Sequence, residues 1–163
     1  MKKLLCLSMI FIFLLGCENA QKSNGFHTSY KDYSFHIGSQ SSVDVVVNLD
    51  KVWGRDYDKM RTFFADTAKF TFSDGESYDT IDGFLGHVKK DMDNGGSWTM
   101  DHAFAVDLLP GSGGELVNAS FSVDATETEP KRIIHEWYYV IDEKIHNFSQ
   151  SKQIIIEWFH TDK

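Results

Sequence analysis

Two side chains in the C-terminal third of the sequence have the types and spacing needed for acid–base chemistry. Glu136 and Tyr138 are two residues apart within residues 132–141, a run rich in β-branched and aromatic residues that is typical of a β-strand. Residues two apart on a strand share a face, so both side chains would point the same way. A glutamate buried without a cationic partner has a raised pKa, which suits a proton donor. Glu136 is therefore a candidate catalytic residue, and Tyr138 a candidate neighbour in the same site.

Asp74 and His102 are the other candidate catalytic residues. Asp74 lies in a predicted turn at residues 73–75. His102 has the parity of Trp98 and Phe104 in a predicted strand, so regular alternation would place it on their apolar face. Two interpretations of His102 remain open: a hydrogen-bonded core residue, or a polar handle or base in a cavity, for which an imidazole titrating near neutrality is suited.

No metal site and no cofactor are predicted. Ligand-type side chains occur at His87, Asp91, Asp101 and His102. Their spacing matches none of the strong metal-binding patterns, such as His-Glu-x-x-His. Asp101 and His102 are neighbours on a predicted strand, so their side chains should point to opposite faces and cannot act as a pair. The glycine-rich residues 111–114 join two predicted strands, so they lack the strand-to-helix context of a phosphate-binding loop.

The N-terminal residues resemble a bacterial lipoprotein leader. Lys2 and Lys3 precede an apolar run, residues 4–16, that is shorter than the roughly 20 residues needed to cross a bilayer and is typical of a secretory signal peptide. Leu-Leu-Gly-Cys at residues 14–17 is similar to the lipobox, which is cleaved before a cysteine that carries diacylglycerol. This resemblance implies lipidation of Cys17 and anchoring to a lipid membrane. The alternative is a conventional signal peptide in which Cys17 lies near the cut by chance.

Charge and composition restrict the partners and the domain boundaries. The formal net charge is −8, whereas binding to nucleic acid needs clustered lysine and arginine; a nucleic-acid partner is excluded. We predict a signal peptide at residues 1–16, a polar tether at 17–42 and one domain at 43–163. With the leader, these features predict a lipid-anchored protein of the bacterial cell envelope, facing the periplasm or the cell surface.

The domain sequence predicts an α+β fold, with helices mostly before strands. Ser42, Asp56 and Thr80 are predicted N-caps of three helices, and a short strand at residues 68–72 precedes the third. Later runs alternate apolar and polar residues, and their short connections predict antiparallel pairing. These strands are predicted at residues 98–109, 116–126, 132–141 and 145–156.

Two segments carry a resemblance to a known family. Residues 50–68 combine a helix ending near Trp53, an aspartate turn, a second helix and the motif Phe-Ala-Asp-Thr-Ala. This resembles the opening of the nuclear transport factor 2-like, or SnoaL-like, superfamily, and Asp-Glu-Lys-Ile at residues 142–145 is similar to its last hairpin. The resemblance implies a cone-shaped fold, three N-terminal helices packed on a curved, mostly antiparallel sheet, with an internal cavity of the kind that binds ligands.

The resemblance also argues against the standard enzymes of this superfamily. The general-base position of ketosteroid isomerases falls on Phe72, and their oxyanion-hole tyrosine falls near Asn48. Only the acidic partner has a match, at about Glu136. The acid/base position of polyketide cyclases falls near Gln150, and neither phenylalanine nor an amide titrates.

We therefore expect a lipoprotein domain that binds a small apolar or amphipathic ligand or a protein partner. The alternatives are an isomerase, cyclase or dehydratase with a non-standard site, and a structural envelope subunit with a filled interior. The candidate ligand-binding residues are Trp53, Phe72, Trp98, His102, Glu136 and Tyr138.

The face of the strand at residues 132–141 that lines the cavity is left open by the sequence. If Glu136 and Tyr138 point inward, Trp137 lies on the convex face, through which members of the superfamily commonly dimerise. The opposite parity makes Trp137 a cavity wall. The first arrangement predicts a homodimer whose interface on the convex face is anchored by Trp137 and the aromatic side chains that share its face.

Overall fold

A computed structural model describes residues 23–95, 97–126 and 129–155, and within these residues the chain forms three helices and seven strands. The predicted signal peptide and Cys17 lie outside the described residues. The helices are α1 (Gln40–Val52), α2 (Tyr57–Arg61) and α3 (Ile81–Asp93). The strands are β1 (His36–Ile37), β2 (Phe64–Thr71), β3 (Ser77–Tyr78), β4 (Trp98–Asp107), β5 (Gly114–Val123), β6 (Arg132–Ile141) and β7 (Lys144–Ile154).

Side-chain caps begin all three helices. Asp56 and Thr80 are the N-caps of α2 and α3, as predicted, and each accepts a hydrogen bond from a backbone N–H in the first turn. The prediction of Ser42 for α1 is wrong, because the cap is Ser39 and Ser42 is a buried residue of the first helical turn. Ser39 is held by Glu115 of β5, whose two carboxylate oxygens accept from the Ser39 backbone N–H at 3.0 and 2.9 Å.

The described strands form one mixed sheet in the order β1-β4-β5-β6-β7-β2-β3. The pairs β4–β5, β5–β6 and β6–β7 are antiparallel, as their short connections predict. β6 has the predicted bounds, and β4 starts at Trp98 as predicted but ends two residues early. β5 starts two residues and ends three residues before the prediction, and β7 starts one residue before it. The predicted end of the last strand at residue 156 lies outside the described residues. The pair β2–β7 is parallel, which makes the sheet mixed.

The arrangement of three N-terminal helices is not confirmed. β2 and β3 precede α3 along the chain, and β2 begins at Phe64, earlier than predicted, because the Phe64 ring is buried and the residue pairs with Ile145 of β7. The coarser prediction of an α+β domain with helices against a sheet is correct.

Part of the predicted tether belongs to the folded domain. His36 and Ile37 pair with Asp107 and Val106 at the edge of β4, and α1 starts before the predicted boundary at residue 42. Backbone hydrogen bonds hold this segment on the sheet: the Ser34 N–H donates to the Leu108 carbonyl at 3.1 Å and the Gly38 N–H to the Ala105 carbonyl at 2.9 Å.

An aromatic cluster between the helices and the sheet forms the centre of the core. The Phe84 side chain of α3 is fully buried and stacks on Phe70 of β2 at a ring-centroid distance of 4.3 Å. Phe64, Phe72 and Phe148 surround it. Burying each such ring contributes about 1.5–3 kcal/mol, so this cluster fixes α3 on the sheet.

Candidate functional site

A cavity of about 280 Å³ lies between the sheet and the C-terminal halves of α1 and α3, and it is partly open to solvent. Typical ligand pockets have volumes of roughly 300–1,000 Å³, so this cavity suits a small molecule. Its aromatic and aliphatic walls include Trp53, Phe72, Val88, Trp98, Phe121 and Val123. Its polar and charged lining includes Asp50, Ser73, Asp74, His87, Asp91, Glu129, Arg132, Glu136, Gln150 and Lys152.

Glu136 is the most deeply buried carboxyl group of this lining, with a relative exposure of 5%. Its Oε1 accepts a hydrogen bond from Gln150 Nε2 at 3.0 Å, and the Tyr138 hydroxyl donates to its Oε2. The period of two in β6 brings Glu136 and Tyr138 to one face, and the β6–β7 pairing places Gln150 opposite Glu136. The carboxyl group is thus held in one orientation from two sides.

The pKa of Glu136 is raised from 4.5 to about 7, mainly by burial and to a smaller extent by the negative charge of Asp50. The hydrogen bonds from Tyr138 and Gln150 act in the opposite direction and do not cancel this effect. Burial and the adjacent glutamate likewise raise the pKa of Tyr138 well above its ordinary value, which keeps its hydroxyl protonated. Near neutral pH, Glu136 can therefore donate or accept a proton.

Gln150 links this glutamate to the turn after β2. The Ser73 hydroxyl donates to Gln150 Oε1 at 3.0 Å, and the Ser73 backbone N–H lies 3.4 Å from the same oxygen. Because both ends of the amide are engaged, its nitrogen is directed at Glu136. The sequence does not predict Ser73 or Gln150 as site residues. The resemblance to polyketide cyclases does, however, place the acid/base position of those enzymes near Gln150.

Asp50 and Trp98 form a second polar contact of the cavity lining. Trp98 Nε1 of β4 donates a hydrogen bond to Asp50 Oδ1 of α1 at 2.8 Å. Asp50 is half-buried and forms no ion pair with any described residue. Sequence reasoning missed Asp50 because a helical aspartate carries no signal until the helix is docked on the sheet.

His87 of α3 lies on the other side of the cavity. Its ring stacks on Phe72 at 3.8 Å between centroids, and its Nδ1 lies 3.2 Å from the Tyr78 hydroxyl. Its Nε2 lies 3.4 Å from Asp91 Oδ2 and 3.7 Å from Asp74 Oδ2. Burial raises the pKa of Asp91, and the nearby imidazole acts in the opposite direction. In the part of the chain that the structure describes, no group of three or more potential ligands is arranged to hold a metal ion.

The basic lining residues lie toward the strand ends. Arg132 at the start of β6 pairs with Glu129 at 2.9 Å, and Lys152 near the end of β7 lies 3.6 Å from the same carboxylate. Their charges are therefore partly neutralised by a neighbour in the lining.

The structure brings most of the predicted site residues together. Trp53, Phe72, Trp98 and Glu136 line the cavity, with the half-exposed Asp74 beside them. Tyr138 is buried and not part of the lining, and it reaches the site through its hydrogen bond to Glu136.

The placement of His102 in the cavity is wrong. A β-bulge between Met100 and His102 shifts the register of β4 against β5, which reverses the alternation of faces after Met100. His102 is exposed on the face away from the helices, where its ring stacks on Phe104 at 6.0 Å. Asp101 is also outside the cavity lining and accepts a hydrogen bond from Ser122.

Of the two possible orientations of β6, the structure has the one that turns Trp137 away from the cavity. Trp137 is 37% exposed and makes an edge-to-face contact with Phe104 at 6.2 Å. Glu136 and Tyr138 point toward the helices and are buried. The homodimer inferred for this arrangement stays a prediction.

Comparison with known proteins agrees with this architecture. No protein-family model matches the chain, and no curated protein is significantly similar to it. A solved structure from Shewanella frigidimarina, provisionally assigned as a ketosteroid isomerase, has a TM-score of 0.58 and 12% identity, over 69% of this chain and 96% of that one. A nuclear transport factor 2-like protein of unknown function from Cytophaga hutchinsonii has a TM-score of 0.50 and 7% identity, over 71% and 93%.

The domain has the nuclear transport factor 2-like fold. The resemblance inferred from residues 50–68 and 142–145 is thus confirmed at the level of fold. A third protein with a ketosteroid isomerase-like fold, from Catenulispora acidiphila, was solved in complex with trimethylamine; its TM-score is 0.50 and its identity 12%, over 66% of this chain and 83% of that one. Identities this low show shared architecture and leave function to the residues of each site.

Proposed function

We propose that this nuclear transport factor 2-like domain binds a small amphipathic molecule in the cavity between its sheet and its helices. One observation carries the proposal: a cavity of about 280 Å³ that combines aromatic walls with the buried carboxyl group of Glu136. Apolar walls with a few positioned polar groups are the usual features of ligand sites. A purely structural subunit was expected to have a filled interior, so the cavity disfavours that alternative.

The polar side chains of the cavity are fixed in orientation by hydrogen bonds, which also supports a binding site. Glu136 is oriented by Tyr138 and Gln150, and Gln150 by Ser73. Groups that are fixed before a ligand arrives lose little conformational entropy when it binds.

Membrane anchoring through Cys17 belongs to the same proposal and is supported by the sequence alone. Acyl chains on Cys17 would hold the domain at a membrane of the bacterial cell envelope. No helix of residues 23–95, 97–126 and 129–155 is long and apolar enough to cross a membrane.

A second candidate function is proton-transfer catalysis, as in an isomerase, cyclase or dehydratase with a non-standard site. The observation that favours it is a glutamate in the cavity lining with a pKa of about 7, a value suited to general acid–base catalysis. Glu136→Gln would then abolish turnover while ligand binding persists, whereas in a pure binding protein no reaction exists to lose.

The binding proposal is tested by native mass spectrometry of the purified protein, together with titration by the neutral fluorophore N-phenyl-1-naphthylamine. Val123 lines the cavity, and Val123→Phe is expected to reduce ligand or probe binding by filling it. Val106→Phe is the matched control, because Val106 lies on the same sheet outside the cavity lining. Equal binding by both variants and the unmodified protein, or no binding at all, would overturn the proposal.

A further inference from the structure

We infer that the cavity selects small organic cations, in which an ammonium group is carried on an apolar body. The inference rests on the proposed binding function and names the chemical class of its ligand. It follows from the charges of the lining, from the partners of two carboxyl groups and from the position of two indole rings.

Within residues 23–95, 97–126 and 129–155, two carboxyl groups of the lining receive hydrogen bonds from neutral donors only. Glu136 receives hydrogen bonds from Tyr138 and Gln150, and Asp50 receives one from Trp98. None of the ion pairs among the described residues involves Asp50 or Glu136. A carboxylate removed from water is stabilised by a positive charge, and a cationic ligand would supply to Asp50 and Glu136 the ion pair that no described residue forms with them.

The other charged residues of the lining do not offset the negative charge of Asp50 and Glu136. Among the described residues, the acidic lining residues are Asp50, Asp74, Asp91, Glu129 and Glu136, and the basic ones are Arg132 and Lys152, with His87 between Asp74 and Asp91. Both basic side chains contact Glu129. An anionic ligand would therefore meet like charges inside the cavity, whereas a cation would meet opposite ones.

Two indole rings complete the recognition of a cation. Trp53 and Trp98 line the cavity together with Asp50 and Glu136, and tryptophan faces attract ammonium groups within about 6 Å of the ring. Arg55 lies with its Cζ 6.0 Å from the Trp98 ring centroid and forms no ion pair with Asp50. Phe72 and Phe121 supply further apolar wall for the body of such a ligand.

The cavity volume limits the size of that body. About 280 Å³ is at the lower end of the range for ligand pockets, so a ligand of one to three aromatic rings or a short alkyl chain fits and a large lipid does not. Substituted ammonium compounds of this size have both parts that the lining recognises.

The test uses three probes with one apolar body and different head groups: 4-phenylbutylamine, 4-phenyl-1-butanol and 4-phenylbutyrate. Isothermal titration calorimetry of the purified protein at pH 7.5 is expected to give at least about tenfold tighter binding of the amine than of the alcohol, and the weakest binding for the carboxylate. Asp50→Asn retains an acceptor for Trp98 and Glu136→Gln retains an acceptor for Tyr138. Each is expected to reduce the preference for the amine over the alcohol about tenfold.

Asp66→Asn is the matched control, because Asp66 is an exposed carboxylate of β2 outside the cavity lining. It is expected to bind all three probes as the unmodified protein does. If the alcohol or the carboxylate binds as tightly as the amine, the inference is wrong and the binding function stands. If the amine fails to bind while N-phenyl-1-naphthylamine binds, the inference is also wrong; if neither binds, both proposals fail.

Discussion

The side-chain amide of Gln150 donates a hydrogen bond of 3.0 Å to Oε1 of Glu136, across the antiparallel strands β6 and β7. Glu136 is the least exposed carboxyl group of the cavity lining, and the side-chain oxygen of Gln150 in turn accepts a hydrogen bond from the Ser73 hydroxyl. The glutamate is therefore positioned by neighbours that bear no charge. Its pKa is raised mainly by burial, so the stability of the fold depends on pH through this group.

Glu136→Gln is expected to change how stability depends on pH. The folded protein raises the pKa of Glu136 from 4.5 to about 7, so this group stabilises the fold below about pH 4.5, and the contribution is lost as pH rises to about 7. The loss amounts to about 3 kcal/mol. Urea unfolding from pH 4.5 to 8.5 should therefore show the unmodified protein losing stability relative to Glu136→Gln. Parallel pH profiles of the two proteins would contradict the burial of an ionisable Glu136.

Gln150→Leu is expected to raise the pKa of Glu136 above its value of about 7. The amide of Gln150 stabilises the ionised carboxylate and so lowers its pKa, whereas burial raises it. Removing the amide leaves the effect of burial and raises the pKa. The measurement is a carbon-detected NMR titration of the labelled glutamate carboxyl groups. Gln153→Leu, an exposed change on the same strand, serves as control and should leave the titration unaltered. A lowered pKa in Gln150→Leu would refute the assigned role of the amide.

Phe84→Ala is expected to lower the free energy of unfolding by about 3–5 kcal/mol. The Phe84 ring is fully buried and contacts aromatic rings of β2 and β7, so its removal leaves a cavity in the aromatic cluster that fixes α3. Phe26→Ala, at a ring that is 81% exposed, should change stability by less than about 0.5 kcal/mol. Chemical denaturation of both variants measures the difference, and similar values for the two would argue against this packing.

Cys17→Ser is expected to move the protein from the membrane fraction to the soluble fraction of bacterial cells. The physical reason is the loss of the acyl chains, each buried CH₂ of which contributes about 0.8 kcal/mol to membrane binding. Fractionation and mass spectrometry of residue 17 are the measurements, with Cys6→Ser as the control. A free thiol on Cys17 in the unmodified protein would disprove lipidation.

Trp137→Ala is expected to weaken self-association. Trp137 and Phe104 form an exposed aromatic contact on the sheet face away from the helices, and buried tryptophans often dominate interface energies. Sedimentation velocity should detect a dimer for the unmodified protein and a monomer for the variant. Phe26→Ala, outside the sheet, should sediment as the unmodified protein does; a monomeric unmodified protein would remove the basis of this prediction.

Local interactions explain why several elements could be predicted. Asp56 and Thr80 cap helices through contacts with residues three positions away, and the hydrophobic pattern of residues 132–141 specifies β6 without reference to the rest of the chain. The turn at Asp142 and Glu143, both with positive φ, fixes the β6–β7 hairpin in the same local way.

Contacts between distant residues explain the wrong predictions. Ser39 caps α1 in place of Ser42 because Glu115, 76 residues away, holds the backbone there. His102 faces away from the cavity because one extra residue in β4 reverses the parity that the sequence implied. Neither effect has a local signature.

The cavity shows the same division between local and long-range information. From the sequence alone, the fold class and the shared face of Glu136 and Tyr138 could be inferred, because both depend on periodicity. Counting back from the hairpin turn pairs Glu136 with Ser149, and only the bulge between Tyr139 and Val140 makes Gln150 its partner. Tertiary structure likewise decided that Asp50 meets Trp98, since side chains 48 residues apart come together only when α1 packs on the sheet.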